Sequence, residues 1–277
     1  MYQKTNYKIL YINGDSYSAG VGLSYEDLYP KNDFFKQRYH KSNMWNFSLK
    51  NNQIIQRLLI NEFGTGKLDN SKLAVLEKEK SFSKKIEAKS NIPTINNSLG
   101  GSSLGEIFQS TVQDVQQLLQ KFKPEEIFVT IMLTSVTRLC LPTSLPIGIM
   151  NRTFLSAIPS FDGELRSKEL KQMKKSFYLN ANDQFLFLNG ISSVCALINF
   201  LHFLKIKYCL LDSCLFKMSI NALKTIDVNA KHFYIPISAT IDDWFHDKEK
   251  IFLPCGHFSE NVHEKIADYI FEKYISY

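Results

Sequence analysis

The segment 126–133 restricts the fold of this 277-residue chain more than any other segment does. It reads Glu-Ile-Phe-Val-Thr-Ile-Met-Leu, a nearly continuous apolar run. A strand with one solvated face alternates between apolar and polar residues, whereas a central parallel strand is covered on both faces and does not alternate. The run therefore predicts a central strand of a parallel sheet in an α/β protein.

Predicted strands and helices alternate along most of the chain. The strand segments are short and apolar, and the helix segments repeat apolar residues at helical spacing. Strands are predicted at 8–13, 94–95, 126–133, 207–211 and 232–237, and helices at 53–63, 83–89, 103–122, 185–204 and 259–274. This alternation predicts a doubly wound, mostly parallel sheet.

Two segments of low periodicity account for the length of the chain. A chain of 277 residues has room for one large domain or about two smaller ones. Residues 24–80 and 139–182 are predicted to be insertions, so that residues 1–277 form a single α/β domain. Both insertions follow strand ends, where parallel sheets bind ligands, and we expect them to form the wall of a pocket.

Charge and cysteine content argue against a nucleic-acid or metal partner. The 33 basic residues are mixed with 27 acidic ones, and the densest charged run, 67–89, alternates in sign as a solvated helix face does. The five cysteines include no C-x-x-C pair, and a zinc site at Cys255, His257 and His263 would lack a fourth ligand nearby. We therefore expect no nucleic acid, no metal and no cofactor.

No segment is predicted to cross a membrane. The apolar segment 185–204 contains Asn189, Asn199 and His202, which would be costly in hydrocarbon, so a buried helix is favoured. Residues 1–11 lack a secretory signal pattern, and a cytoplasmic protein is expected. Association with a virion is compatible with the same sequence, and the oligomeric state is left open.

The first predicted strand leads directly into Gly14-Asp15-Ser16. A serine on a tight turn at the carboxyl end of a strand can be exposed, and nearby backbone N–H groups are then free to bind a developing oxyanion. The alternative is that Asp15 and Ser16 only cap a short helix. The tripeptide alone does not decide between a nucleophile and a cap.

Together with two later motifs, this tripeptide resembles the SGNH (GDSL-like) hydrolase superfamily. The later motifs are Asn96-Asn97-Ser98-Leu99-Gly100-Gly101 and Gly256-His257-Phe258. The resemblance implies a three-layer α/β/α, flavodoxin-like fold, with Ser16 as the nucleophile and His257 as the base. It also implies that the N–H groups of Ser16 and Gly101 form the oxyanion hole.

The turn around Gly101 has a structural interpretation as well. Glycine suits a place where backbone approaches a substrate closely or adopts positive φ. Ser102 or Ser103 is predicted to cap the helix that follows. The two interpretations are compatible.

The chain departs from the family after the central strand. The usual Gly-x-Asn-Asp is replaced by Leu133-Thr134-Ser135-Val136-Thr137-Arg138, which is similar to a variant among phage-type members. The resemblance implies that Thr134, or less favourably Ser135, replaces the Asn as a side-chain donor to the oxyanion. Asp15 and Arg138 are further candidates for a supporting role. A hydroxyl is a single, rotatable donor, so weaker preorganisation is expected.

The last motif also departs from the family. Pro254 stands three residues before His257, where the family has the acid of its triad. A backbone carbonyl, one of the carboxylates at positions 242, 243 and 247, or no group at all could orient His257, and decayed activity is a further alternative. His263, in the first turn of the C-terminal helix, is expected to be structural or to line the substrate rather than to be the base.

The resemblance predicts a serine esterase that removes an acetyl-type acyl group, plausibly from a carbohydrate. The partner would be a small-molecule or glycan ester. Two alternatives stay open. One is a non-catalytic glycan- or partner-binding module with the same fold, which Pro254 favours. The other is a sugar O-acyltransferase that uses the same Ser-His pair.

Overall fold

A computed structural model describes residues 6–20, 23, 77–147, 152–157, 168–212, 234–235 and 258–276. Its strands are β1 (Ile9–Asn13), β2 (Thr94–Asn96), β3 (Ile127–Leu133), β4 (Leu139–Ile147), β5 (Arg152–Ala157), β6 (Lys207–Asp212) and β7 (Tyr234–Ile235). Its helices are α1 (Ser16–Ala19), α2 (Phe82–Ser90), α3 (Leu104–Leu118), α4 (Lys168–Asn180), α5 (Asp183–Phe203) and α6 (Glu260–Ile270). The chain divides into two compact units, Met1–Ser18 with Ile92–Thr240 and Ala19–Asn91 with Ile241–Tyr277.

The first unit is built on a five-stranded sheet in the order β2-β1-β3-β6-β7. Every neighbouring pair is parallel, and the register aligns Tyr11 with Val129 and Val129 with Tyr208. Counted along the sheet strands alone this is the order 2-1-3-4-5, which defines doubly wound sheets of the flavodoxin type. The predicted α/β fold class is confirmed, and all seven residues of β3 are buried as a central strand requires.

Two helices pack on one face of this sheet. Alternate strand residues, among them Tyr11, Val129 and Tyr208, point into a core that α3 and α5 complete. The helices contribute to it by residues at helical spacing, including Val115 from α3 and Leu201 from α5. This packing fixes the N-terminal end of α3 beside the carboxyl ends of the strands, where the polar turns lie.

The helix α5 is apolar over more than its packed face. Residues Gln184–Phe203 have a mean hydropathy of 1.6 and, within the described part of the chain, form the one helix long and apolar enough to cross a membrane. Ile191, Val194 and Leu197 are nevertheless buried in the core. The absence of a membrane span stays a prediction.

The segment 139–182 is more regular than its sequence indicates. It contains an antiparallel hairpin of β4 and β5, followed by the helix α4. The hairpin was not predicted from the sequence, because Pro142 interrupts the strand pattern and the register shifts between Pro142 and Ile147. The helix α4 was not predicted either, because Lys174 is buried where an apolar residue would be expected.

Some predicted boundaries also change. The helix predicted at 103–122 ends at Leu118, and the C-terminal helix continues as a π-helical turn over Phe271–Ile275. The strand predicted at 232–237 pairs only at Tyr234–Ile235. The helix predicted at 53–63 lies outside the described residues.

In the second unit α2 packs against α6. Lys85 contacts Glu260 and Glu264 at 2.8 and 3.1 Å, and Lys89 contacts Glu264 at 2.7 Å. Beneath these ion pairs His263 is 1% exposed, and its Nδ1 accepts the N–H of Phe82 at 3.1 Å. Ser81, the N-cap of α2, makes no side-chain cap bond. The imidazole of His263 therefore satisfies one of the N–H groups that a helix start leaves unpaired.

We predict that His263→Leu destabilises the protein by about 1–3 kcal/mol, because it leaves the buried N–H of Phe82 without an acceptor. Urea unfolding followed by circular dichroism measures the change. Glu264→Gln is the matched control on the same helix, since its carboxylate is 43% exposed and forms surface ion pairs, which contribute about 0–1 kcal/mol. Equal losses in the two variants would contradict the capping role.

Candidate functional site

Three turns meet at one edge of the sheet. The strands β2, β1 and β3 are adjacent and parallel, so their carboxyl ends lie side by side. Ligands of doubly wound sheets bind at this edge, at the point where the strand order reverses, here between β1 and β3. The turns that follow these strands begin at Gly14, Asn97 and Thr134, which are the regions that the sequence singles out.

The turn after β1 leaves no room for a side chain at Gly14. A Cβ there would overlap Ser18 Oγ and lie 2.9 Å from the carbonyl oxygen of Met132. Gly14 therefore allows the turn to press against the end of β3. The helix α1 begins at Ser16, and the Ser18 hydroxyl donates to the Asp15 carbonyl at 3.0 Å.

The turn after β2 is hydrogen-bonded to the turn after β1. The N–H of Leu99 donates to the Gly14 carbonyl at 3.2 Å, and the Asn96 amide donates to the Ser18 carbonyl at 3.0 Å. Gly101 has a φ of 86°, which favours glycine. The helix α3 then begins with Ser103 as its N-cap, its hydroxyl accepting the N–H of Glu106 at 3.2 Å. Of the two predicted caps, Ser103 is the one observed.

A buried ion pair joins these turns to the turn after β3. Asp15 is fully buried, and its Oδ2 accepts the Thr134 hydroxyl at 2.7 Å. The same oxygen lies 3.4 Å from Nη1 of Arg138, whose side chain is 8% exposed. That nitrogen also donates to the Ser102 carbonyl at 2.9 Å. The predicted residues Asp15, Thr134 and Arg138 are thus brought into one network.

The position of Thr134 revises its predicted role. Its hydroxyl carries one hydrogen, which is donated to Asp15, and the residue is 0% exposed. The hydroxyl is therefore not available to an oxyanion in this arrangement. For Ser135, the Oγ accepts the Thr137 N–H at 3.2 Å and lies 2.8 Å from the Thr137 hydroxyl, in a bond in which either hydroxyl can be the donor.

We predict that Thr134→Val lowers the free energy of unfolding but leaves kcat close to that of the wild type. Removal of a hydrogen bond to a buried charge costs about 1.5–3 kcal/mol, whereas loss of an oxyanion donor lowers kcat by about 10²–10³. Urea unfolding and ester hydrolysis measured on the same sample separate the two effects. Thr134→Ser, which keeps the hydroxyl, is the control. A stable Thr134→Val variant with kcat reduced by that factor would restore Thr134 to the oxyanion hole.

Two polar residues near these turns have no counterpart among the sequence predictions. Asn13, at the end of β1, is buried, and its amide donates to Ser110 and Thr111 of α3 at 2.8 and 2.9 Å. Its own oxygen accepts the N–H of Gly14 at 2.8 Å. A polar residue that closes an apolar strand is the sequence signal for such a role, and Asn13 fixes the turn to α3.

The second of these residues is Asp114 on α3. Its Oδ2 accepts the Tyr11 hydroxyl at 2.6 Å and also accepts the Asn97 amide. Burial and then the Asp114 carboxylate raise the pKa of Tyr11 well above its usual value, so the phenol keeps its proton and stays a donor. Asp114 thereby holds the turn after β2 to α3.

The structure does not describe all of the predicted site residues. His257, Pro254 and the carboxylates at positions 242, 243 and 247 lie outside the described residues, as does the side chain of Ser16. His263 is described and is buried between Phe82, whose ring centroid lies 5.9 Å away, and Phe258 at 6.4 Å. These contacts support a structural role for His263.

Neither a thiol nucleophile nor a metal cluster is evident in the described ranges. Burial raises the pKa of the Cys140 thiol to about 11, and that of Cys195 is also raised by burial. Both thiols are thus protonated at neutral pH and weakly nucleophilic. Among the described residues no group of three or more His, Cys, Asp and Glu side chains could hold a metal ion.

The described residues define an α/β protein with a doubly wound parallel sheet, in which three polar turns meet at the switch point. No family model matches the chain, and no curated protein matches it.

Sixteen chains of solved structures do match. One is a protein assigned to the G-D-S-L lipolytic family from Desulfitobacterium hafniense DCB-2, with 11% identity, a TM-score of 0.39, and coverage of 96% of this chain and 98% of that one. Another is a carbohydrate esterase whose active site is described as having divergent catalytic and non-catalytic binding functions. Its identity is also 11%, its TM-score is 0.46, and the match covers 98% of this chain and 69% of that one. At these values neither protein's activity transfers to this chain.

Proposed function

We propose that this chain is a serine esterase of the SGNH type that removes a small, acetyl-type acyl group from a carbohydrate ester. The observation that carries the proposal is the pairing of two turns at the switch point. The turn that holds Ser16 accepts hydrogen bonds from the turn that leads to Gly101, and Gly101 has positive φ. Such a pairing is what two backbone oxyanion donors on separate loops require.

In the proposed reaction the Ser16 hydroxyl attacks the ester carbonyl carbon while His257 takes its proton. The carbonyl oxygen becomes an oxyanion and accepts the N–H groups of Ser16 and Gly101. Collapse of the tetrahedral intermediate breaks the bond to the alcohol, which leaves with the proton from His257. Water, deprotonated by His257, then attacks the acyl-enzyme, and the acid is released as Ser16 regains its proton.

The proposed mechanism uses two backbone donors and no donor from Thr134. A third, side-chain donor would have to come from elsewhere, because the Thr134 hydroxyl is bonded to Asp15. We therefore expect modest turnover. The absence of one donor typically lowers kcat by about 10²–10³.

Covalent labelling tests the proposal. The full chain is incubated with a fluorophosphonate probe, its intact mass is measured, and the modified peptide is mapped. We expect one probe per chain, attached to Ser16, together with hydrolysis of p-nitrophenyl acetate. A chain that neither takes up probe nor hydrolyses any of a panel of acyl esters contradicts the proposal.

Pro254, at the position where an acid would orient His257, favours a second candidate, a non-catalytic glycan-binding module. Binding of acetylated glycans without labelling of Ser16 is the result that this candidate predicts. Transfer of the acyl group to an added sugar instead of water would identify a sugar O-acyltransferase. Product analysis by mass spectrometry with and without acceptor distinguishes transfer from hydrolysis.

A further inference from the structure

We propose that Arg138 is a positioning residue that holds the two turns of the oxyanion hole in one geometry. A single nitrogen, Nη1, lies 2.9 Å from the Ser102 carbonyl and 3.4 Å from Asp15 Oδ2. The kinetic part of this inference rests on the proposed esterase function. The structural part, that Arg138 fixes both turns, does not.

Each partner of Arg138 is the chain neighbour of a proposed oxyanion donor. Asp15 precedes Ser16, and Ser102 follows Gly101. A bond to either partner therefore limits the movement of the adjacent peptide group. Because oxyanion donors act only within hydrogen-bond range of the developing charge, a displacement of about 1 Å lowers turnover by about 10²-fold.

The guanidinium also balances a charge that would oppose the reaction. Asp15 is 0% exposed and precedes Ser16, whose attack on the ester would form the oxyanion. A buried carboxylate without a counter-charge would repel that oxyanion, and in a poorly solvated site the repulsion is strong. The Arg138 side chain, 8% exposed, supplies the opposite charge at the same oxygen.

The turn that carries Arg138 is itself fixed. The N–H of Arg138 donates to the Ser135 carbonyl at 3.4 Å, and the Tyr178 hydroxyl of α4 donates to the Thr137 carbonyl at 2.7 Å. Arg138 is therefore a side chain on an anchored loop, which is what a positioning role needs. Lysine is not equivalent here, because its ammonium is a compact, strongly hydrated charge on a flexible stem, whereas the guanidinium is planar and more weakly hydrated.

The experiment compares three variants with the wild type. They are Arg138→Met, Arg138→Lys and a double variant that combines Asp15→Asn and Arg138→Met. Lys85→Met is the matched control, since it removes a partly buried cation that contacts Glu260 and Glu264 in the second unit. For Arg138→Met we expect kcat on p-nitrophenyl acetate, and the rate of Ser16 labelling, to fall by about 10²-fold. KM should change by less than about threefold, and Arg138→Lys should recover part of the loss.

The double variant separates folding from positioning. It removes both charges, so no buried carboxylate is left without a counter-charge, and its thermal midpoint should return toward that of the wild type. Its kcat should stay low, because the bond from Arg138 to the Ser102 carbonyl is still missing. A double variant that regains wild-type kcat would overturn the positioning role.

Hydrogen exchange tests the structural part without relying on catalysis. In Arg138→Met and in the double variant we expect faster exchange in residues 14–18 and 97–102, with β3 and α3 unchanged. If the wild type shows no ester hydrolysis and no labelling, the esterase function fails, whereas faster exchange in both turns still supports the positioning role. Unchanged exchange in both turns overturns the positioning role, whether or not the wild type is active.

Discussion

Ser16→Ala is expected to lower kcat for p-nitrophenyl acetate by about 10⁴-fold or more, and to abolish fluorophosphonate labelling. In serine hydrolases the nucleophile and base act as a unit, and loss of the nucleophile alone removes most of the rate enhancement. Alanine keeps the backbone N–H of residue 16, which is a donor whatever the side chain is. Residual activity would then come from the oxyanion donors alone.

Ser192→Ala is the control for this variant. Ser192 is an exposed serine on α5 whose hydroxyl donates to the Leu188 carbonyl at 2.7 Å, within its own helix. We expect wild-type kinetics and labelling for it. If Ser16→Ala instead keeps the kcat and the labelling of the wild type, Ser16 is not the nucleophile, and peptide mapping will show which residue is.

The second large effect concerns stability. Gly14→Ala is expected to destabilise the protein by about 3 kcal/mol or more, because there is no space for a methyl group. The new Cβ would lie 2.8 Å from Met132 Cβ and 2.9 Å from the Met132 carbonyl oxygen. The carbonyl belongs to the backbone of the central strand and cannot move aside without disturbing the sheet. Urea unfolding measures the loss.

Gly190→Ala is the graded comparison for Gly14→Ala. Its Cβ would lie 3.0 Å from Leu104 Cδ1, 3.1 Å from Val136 Cβ and 3.2 Å from Val136 Cα, which is crowded but less close than the contacts at Gly14. Alanine also gains about 1 kcal/mol over glycine inside a helix. We expect a net change within about 1 kcal/mol. A Gly14→Ala variant as stable as Gly190→Ala would contradict the close packing of the turn against β3.

The sheet could be predicted from the sequence because its strands are apolar on both faces. The strands β3 and β6 stand out for this reason, and β1 ends at a recognisable glycine turn. The hairpin of β4 and β5 could not be predicted, since prolines and a shifted register replace the usual alternation. The helix α4 was hidden by a lysine on its buried side.

For Asp15, Thr134 and Arg138, the sequence singled out the residues but not the hydrogen bonds between them. Motif order brings Asp15, Thr134 and Arg138 to attention, yet the atom that each one contacts depends on tertiary packing. The Thr134 hydroxyl illustrates this limit, because the sequence permits it to face a substrate and the structure commits it to Asp15. Asn13 was missed because its partners Ser110 and Thr111 lie on α3, far along the chain. Asp114, on α3, was missed because its partner Tyr11 lies equally far away on β1.

The parallel pairing of β1 with β3 also has a consequence for how the protein folds. It brings together Asp15 and Thr134, which are 119 residues apart in the sequence. Forming a contact at such separation lowers the entropy of the long intervening loop before the contact can stabilise the fold, so sheets of this kind form slowly. We therefore expect the Asp15 network to form late in folding. In refolding experiments, probe labelling of Ser16 should recover only with the slowest phase, after the helical signal has returned.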